Sequence, residues 1–224
     1  SGPWYQVVND AWKVDTETAG SKAVADVYQQ LLDGKAATTN PRWDPSFDAS
    51  LQKGELIGTI GAAWEAPLLM DSMGDKGKGD WRVAQVGDWF GNGEKTGPDG
   101  GSGVVALKGI KHKAEAMKFL DWFNTQIEDL TSQGLVVAAT TGTAKTPASW
   151  SEFYGGQDVM AEFATANSHL GNFSYIPGFS AVGTAMKEKA ADVAAGKAKA
   201  ESIFEAAQTA SVDTLKDYGL SVAQ

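Results

Sequence analysis

Cysteine is absent from the 224-residue chain, which removes disulfides, thiolate nucleophiles and cysteine-ligated metals together. Its absence leaves the compartment open, because exported proteins of this size fold without cystine. Histidine is nearly as scarce: His112 and His169 are the only two. His112 sits among lysines and reads as a solvated residue, and His169 precedes an aromatic loop. Positive charge is also in deficit, with 19 Lys and Arg against 28 Asp and Glu for a net charge of -9. A duplex nucleic-acid partner requires clustered cations, so it is disfavoured. No apolar run approaches the roughly 20 residues of a membrane span. The opening residues carry neither a signal-peptide pattern nor a lipidation site, and Ser1-Gly2 reads equally well as a cloning remnant.

Nucleotide and hydrolase motifs are missing as well. No Gly-x-Gly-x-x-Gly follows a strand, and GDKGKGD at 74–80 has the wrong spacing for a phosphate loop, reading instead as a surface turn. GGSG at 100–103 is not a nucleophile elbow, and neither histidine has an evident role as its base. Paired carboxylates are unavoidable in so acidic a chain, so they carry no argument for glycosidase chemistry.

What is present is a hydrophobic fraction of 42% and a charged fraction of 21%, enough for one large domain or two modest ones with a buried core. TAGSKAVADVYQQLLDGK predicts a helix with Ala23, Val24, Val27, Tyr28 and Leu31 on its apolar stripe and Gly34 as C-cap. A short helix around FDASLQKG ends at Gly54. LIGTIG, WRVAQV and GSGVVALKG read as strands, and a helix begins near Pro67. IKHKAEAMKFLDWFNTQ predicts a strong helix with Ala114, Met117, Leu120, Trp122 and Phe123 facing a core. Short helices and loops fill 126–166, and two alanine-rich helices close the chain. The fold class is α/β, with a sheet covered by helices on both faces.

Tryptophan is the enriched residue, with eight in the chain. Trp43, Trp64 and Trp89 lie in or beside turns, each next to an acid: Asp44, Glu65 and Asp88. An indole face provides apolar area for the C–H face of a sugar, and a carboxylate at its edge accepts hydroxyl protons. The same pattern suits indoles that plug gaps between helices and sheet, and composition leaves both readings open.

The order of the segments resembles the later half of an extracellular solute-binding protein, of the sugar-binding family of bacterial ABC importers that includes maltose-binding protein. The helix ending LLDGK, the turn SFDASLQKGE and the strand LIGTIGAAWEA are similar to the stretch that leads to a ligand-facing tryptophan, here Trp64. GGSGVVALKGIKHKAEAMKFLDWF resembles the crossing strand and following helix, and SYIPGFSAVGTAM the late loop lining the cleft. At the position of a further stacking tryptophan stands Gly183, with Phe173, Tyr175 and Phe179 nearby. The resemblance implies a periplasmic-binding-protein-like type II lobe within an incomplete two-lobed protein. Residues 1–96 would be the first part of the second lobe, 97–156 a segment crossing to the first lobe, and 157–224 the closing helices. Most of the first lobe would be absent, and an export signal would lie upstream of an extracytoplasmic protein.

The implied function is non-enzymatic capture of a mono- or oligosaccharide in an interlobe cleft, without a cofactor or metal. Trp64 would be the main platform and Glu65 an edge acceptor, with Trp43 and Asp44 a second pair and Asp88 and Trp89 near the crossing. Gly101 and Ser102 would offer a backbone N–H and a hydroxyl, while Asn172 and Tyr175 would close the cleft. Partners would be importer membrane subunits and the missing half, in cis or as a separate chain, or else a dimer or swapped assembly. Alternative readings are a structural or interaction domain, and a glycoside hydrolase using the same aromatics.

Overall fold

The computed structural model describes residues 2–88, 91, 93, 95–138 and 145–223. Two compact units arise, one from 1–39 with 172–224 and the other from 40–171. The lobe boundaries expected at 96 and 156 both fall inside the second unit.

The first unit opens with an antiparallel hairpin of β1 (Tyr5–Val8) and β2 (Ala11–Val14), in which Tyr5 faces Val14 and Val8 faces Ala11. Asn9 and Asp10, with φ of 51° and 58°, form its two-residue loop. Left-handed values at both positions match the twist of the flanking strands. This hairpin lies in a stretch with no clear period in the sequence. Trp12 also bridges in parallel to Val222. α1 (Ala19–Asp33) is capped by Thr18, whose side chain accepts the Ser21 N–H, and Gly34 closes it as expected. Its buried face is Ser21 and Ala25, however, while Tyr28 and Leu31 are exposed. The buried stripe thus sits rotated from the expected one: Ser21 accepts the Trp4 indole N–H at 3.0 Å, and Ala25 clusters with Val193 and Ala200.

α8 (Phe179–Ala194) and α9 (Ser202–Asp217) pair off as the closing helices. Their core with the hairpin is Tyr5, Ile176, Val182, Ala207 and Leu215. Polar groups inside it are matched: the Tyr5 and Ser211 hydroxyls lie 2.8 Å apart, and Ser211 Oγ donates to the Ala207 carbonyl. Burial pushes the Tyr5 phenol above its ordinary pKa, with the Ser211 bond opposing.

The second unit is built on α2 (Pro45–Gln52), α3 (Glu65–Met73), a 3-10 turn over Gly74–Gly77, α4 (Lys113–Asn124), α5 (Ile127–Ser132), α6 (Ala148–Phe153) and α7 (Val159–Ser168). Phe47, Leu51, Leu69, Met73, Trp150, Phe153, Tyr154, Val159 and Met160 form its core. The Tyr154 hydroxyl donates to the Ala66 carbonyl at 3.0 Å, and burial raises its pKa.

The expected sheet with helices on both faces is not formed among the described residues, where the sheet is the two-stranded hairpin alone. LIGTIG, WRVAQV and GSGVVALKG form no strand, and the last ends in a turn at Lys108–Gly109. The physical reason is that a strand needs a neighbour for its N–H and C=O groups. At 81–88 half-buried and exposed residues still alternate strictly. There the Gln157 amide takes the neighbour's place, accepting the Val83 N–H and donating to the Val83 carbonyl, both at 2.8 Å.

α4 departs further from expectation. It buries no residue: Met117, Phe119, Trp122 and Phe123 are exposed, with Trp122 at 56%. Of these Phe119, together with Val105, Leu107, Ile110, Ala116 and Leu120, borders an open apolar groove.

Candidate functional site

Four of the residues singled out in the sequence lie in two turns that feed α2 and α3. Pro41 and Pro45 bracket the first turn, and Pro45 favours the extended backbone of Asp44 just before it. Trp43 adopts φ of 64°, a left-handed conformation costing a bulky residue roughly 1–3 kcal/mol, and such outliers concentrate at functional sites. Its ring packs edge-on to Phe47 at 5.2 Å between centroids. Asp44 is the N-cap of α2. Its Oδ1 accepts the Ser46 hydroxyl at 2.7 Å and the N–H groups of Ser46 and Phe47 at 2.8 and 3.0 Å. The Ser46 hydroxyl, then the Phe47 N–H, hold its carboxyl below the usual range. A cap is therefore the role the structure displays for Asp44.

Trp64 and Glu65 stand at the start of α3. No side chain caps this helix, and its first N–H groups turn back instead, Glu65 to Ala62 at 3.0 Å and Ala66 to Ala63 at 3.1 Å. Trp64 is half-buried, and its indole N–H donates to the Asp99 carbonyl at 3.1 Å. That bond holds the 99–101 segment to the indole, where Gly100 and the exposed Gly101 and Ser102 follow. Beneath the backbone lies Gly134, at φ of 79°, where a Cβ would stand 2.6 Å from the Ala63 carbonyl and 2.8 Å from Trp64 Cα. Only glycine permits this approach.

Glu65 is 3% exposed. Burying a carboxylate is expensive unless it is paired, and Arg42 supplies the pair. Arg42 Nη2 bonds Glu65 Oε1, and Nη1 donates to the Ile60 carbonyl at 2.6 Å. The guanidinium carbon lies 5.6 Å from the Trp43 ring centroid, a cation–π contact. Glu65 Oε2 is buried without a partner and is pressed against Gly61, where a Cβ would collide with it. An edge acceptor needs an oxygen open to solvent, and Glu65 does not present one. Arg42, the residue sequence reasoning missed, is one of two arginines in the chain. Its signal is its place beside an indole between two prolines.

The remaining candidates are not gathered here. Asp88 is exposed, and its Oδ1 accepts the Gly93 N–H at 3.0 Å; Trp89 lies outside the described residues. Asn172 and Tyr175 belong to the other unit. Tyr175 is 54% exposed and packs edge-on against Phe173 and Phe179 at 4.7 and 5.0 Å. Those rings continue into the cluster around Trp4 and Tyr5. Among the described residues no group of three acidic or histidine side chains could hold a metal.

Set against known structures, the whole chain aligns with the galacto-N-biose-/lacto-N-biose I-binding protein of the ABC transporter from Bifidobacterium longum, solved in complex with lacto-N-biose. Identity is 66% and the TM-score 0.96. The chain is homologous to a sugar-binding protein of an ABC transporter. It covers 56% of that homologue, so it spans little more than half of its length. A second structure, the ABC transporter associated binding protein from B. animalis subsp. lactis Bl-04 in complex with beta-1,6-galactobiose, matches at 17% identity and a TM-score of 0.72. The chain covers 58% of it, and at that identity the likeness concerns the fold alone. No family model matches the chain, and no curated protein does. The fold is thus periplasmic-binding-protein-like.

Proposed function

We propose that the chain is part of an extracytoplasmic, non-catalytic carbohydrate-binding component of an ABC importer, and that Trp64 is its stacking platform. The observation that carries the reading is the 66% identity, along the entire chain, to a protein solved with lacto-N-biose. Galactosyl disaccharides are the first ligands to consider. At the site, a half-exposed indole is fixed by its own N–H, by the helix beginning at Glu65 and by Gly134. A platform must be rigid before the sugar arrives, or ordering it cancels the gain from stacking. Trp43 and the 99–102 segment are secondary contacts, and Asn172 and Tyr175 keep the role proposed for them from the sequence. Asp88 and Trp89 keep their proposed place near the crossing.

The division into 1–96, 97–156 and 157–224 belongs to the same reading, as does kinship with maltose-binding protein itself. A companion equivalent to the rest of the homologue's fold would then complete the cleft, in cis or as a separate chain, and importer membrane subunits would receive the ligand. The test is calorimetric titration of the chain, alone and co-expressed with the complementary portion of the B. longum homologue. Lacto-N-biose, galacto-N-biose, beta-1,6-galactobiose and maltose are the ligands. Saturable binding of a galactosyl disaccharide by the complemented form, lost in Trp64→Ala, is expected. Binding of none of the four, or binding indifferent to Trp64→Ala, overturns the assignment.

One observation favours a second reading, an interaction domain that binds nothing small: the uncovered apolar side of α4. It predicts no ligand-induced stabilisation in either form. A glycoside hydrolase would instead turn the disaccharide over.

A further inference from the structure

We infer that Arg42 is a positioning residue for Trp64, acting through Glu65. The inference deepens the carbohydrate-binding reading and rests on it for its effect on affinity. Arg42 grips the chain at two points, the Ile60 carbonyl at 2.6 Å and the Glu65 carboxylate. These points bracket residues 61–64, so the backbone that carries the indole is tied at both ends by one planar group. A guanidinium suits this work because its N–H groups form a fixed fork, whereas an ammonium offers a single charge centre. The ring of Trp43 supports the fork from one side at 5.6 Å. The third constraint, from the indole N–H to the Asp99 carbonyl, acts at the far end of the side chain. With Glu65 buried to 4% of its side-chain surface and its Oε2 unpartnered, Oε1 keeps one partner, and Arg42 is it.

Loss of Arg42 therefore strands a buried carboxylate directly beside the platform. Glu65 relieves this by turning outward or taking a proton, and either response releases the first turn of α3. The role is distinct from touching the ligand. The Arg42 side chain is 37% exposed, so direct contact with a sugar is the competing explanation that the experiment must separate.

The chain is labelled with 5-fluorotryptophan, and the Trp64 fluorine resonance is assigned by its disappearance in Trp64→Phe. Spectra and lacto-N-biose titrations are then recorded for Arg42→Met, Arg42→Lys, Glu65→Gln and Arg42→Met/Glu65→Gln. In Arg42→Met the Trp64 resonance is expected to shift or broaden while that of Trp122 stays. Affinity for the disaccharide is expected to fall about tenfold. Arg42→Lys restores part of both, and the double variant is no worse than the poorer single one. A Trp64 resonance that stays in place in Arg42→Met overturns the inference, and affinity loss without that shift marks Arg42 as a direct ligand contact. Additive losses in the double variant also overturn it. If Arg42→Met fails to fold, Glu65→Gln, which preserves volume, decides by the same resonance. If the unsubstituted chain binds no disaccharide, the resonance alone still judges the role of Arg42.

Discussion

Asp44 and Glu65 are both carboxylates beside an indole, and the structure gives them different work. Asp44 is open to solvent and caps α2 through one oxygen. Glu65 is buried and belongs to Arg42. A depressed folded-state pKa means that the ionised Asp44 is favoured on folding. Its contribution is present above the unfolded value, about 3.9, and is lost as pH falls through the folded value. Asn caps a helix about as well as Asp but does not titrate. Asp44→Asn should therefore be less stable than the parent at neutral pH, and the gap should close in acid. Urea midpoints of the two proteins at about pH 7 and about pH 2.5 measure this. A gap that widens in acid would contradict the cap. The sequence places Trp64 and Glu65 at a turn correctly, because a strand-like pattern gives way to a helical one at that point. Arg42 lies 23 residues from Glu65, and no local pattern carries such a pairing.

Helices are legible in this chain because their hydrogen bonds and their 3.6-residue period are local. The helices expected within 18–35, around 47–54, from near Pro67, within 110–126 and in the closing segment are present, as Ala19–Asp33, Pro45–Gln52, Glu65–Met73, Lys113–Asn124 and the α8 and α9 pair. The faces they bury are less legible. α1 buries Ser21 and Ala25 instead of its larger residues, and α4 leaves its apolar side open. The strands expected at 56–61 and 81–86 are not formed, because strand pairing depends on neighbours distant in sequence that local composition does not contain. Two tryptophans on helices measure the difference. Trp150 on α6 is 3% exposed, and Trp122 on α4 is 56% exposed. Trp150→Ala should cost about 3–5 kcal/mol, while Trp122→Gln should stay within about 0.5 kcal/mol. Chemical denaturation of the chain compares them. A large cost for Trp122→Gln would show that α4 packs against something in solution.

For the molecule as a whole, the apolar side of α4 and the 104–110 stretch have the character of an interior exposed to water. Val105 and Leu107 are each 74% exposed, and Phe119 is 57% exposed. Patches of this kind mark surfaces that associate. Light scattering on the chain should show apparent mass rising with concentration, and Phe119→Lys should lower that rise. A single monomer mass at every concentration would remove the expectation. Against this background Gln157 acquires a wider meaning. Its amide occupies the N–H and the carbonyl of Val83, the two groups that an incoming strand would seize at the middle of 81–87. An open ladder in a chain that already exposes apolar surface is a template for fibrous growth. One side-chain amide, shaped like a peptide unit but unable to propagate, denies that template its central rung.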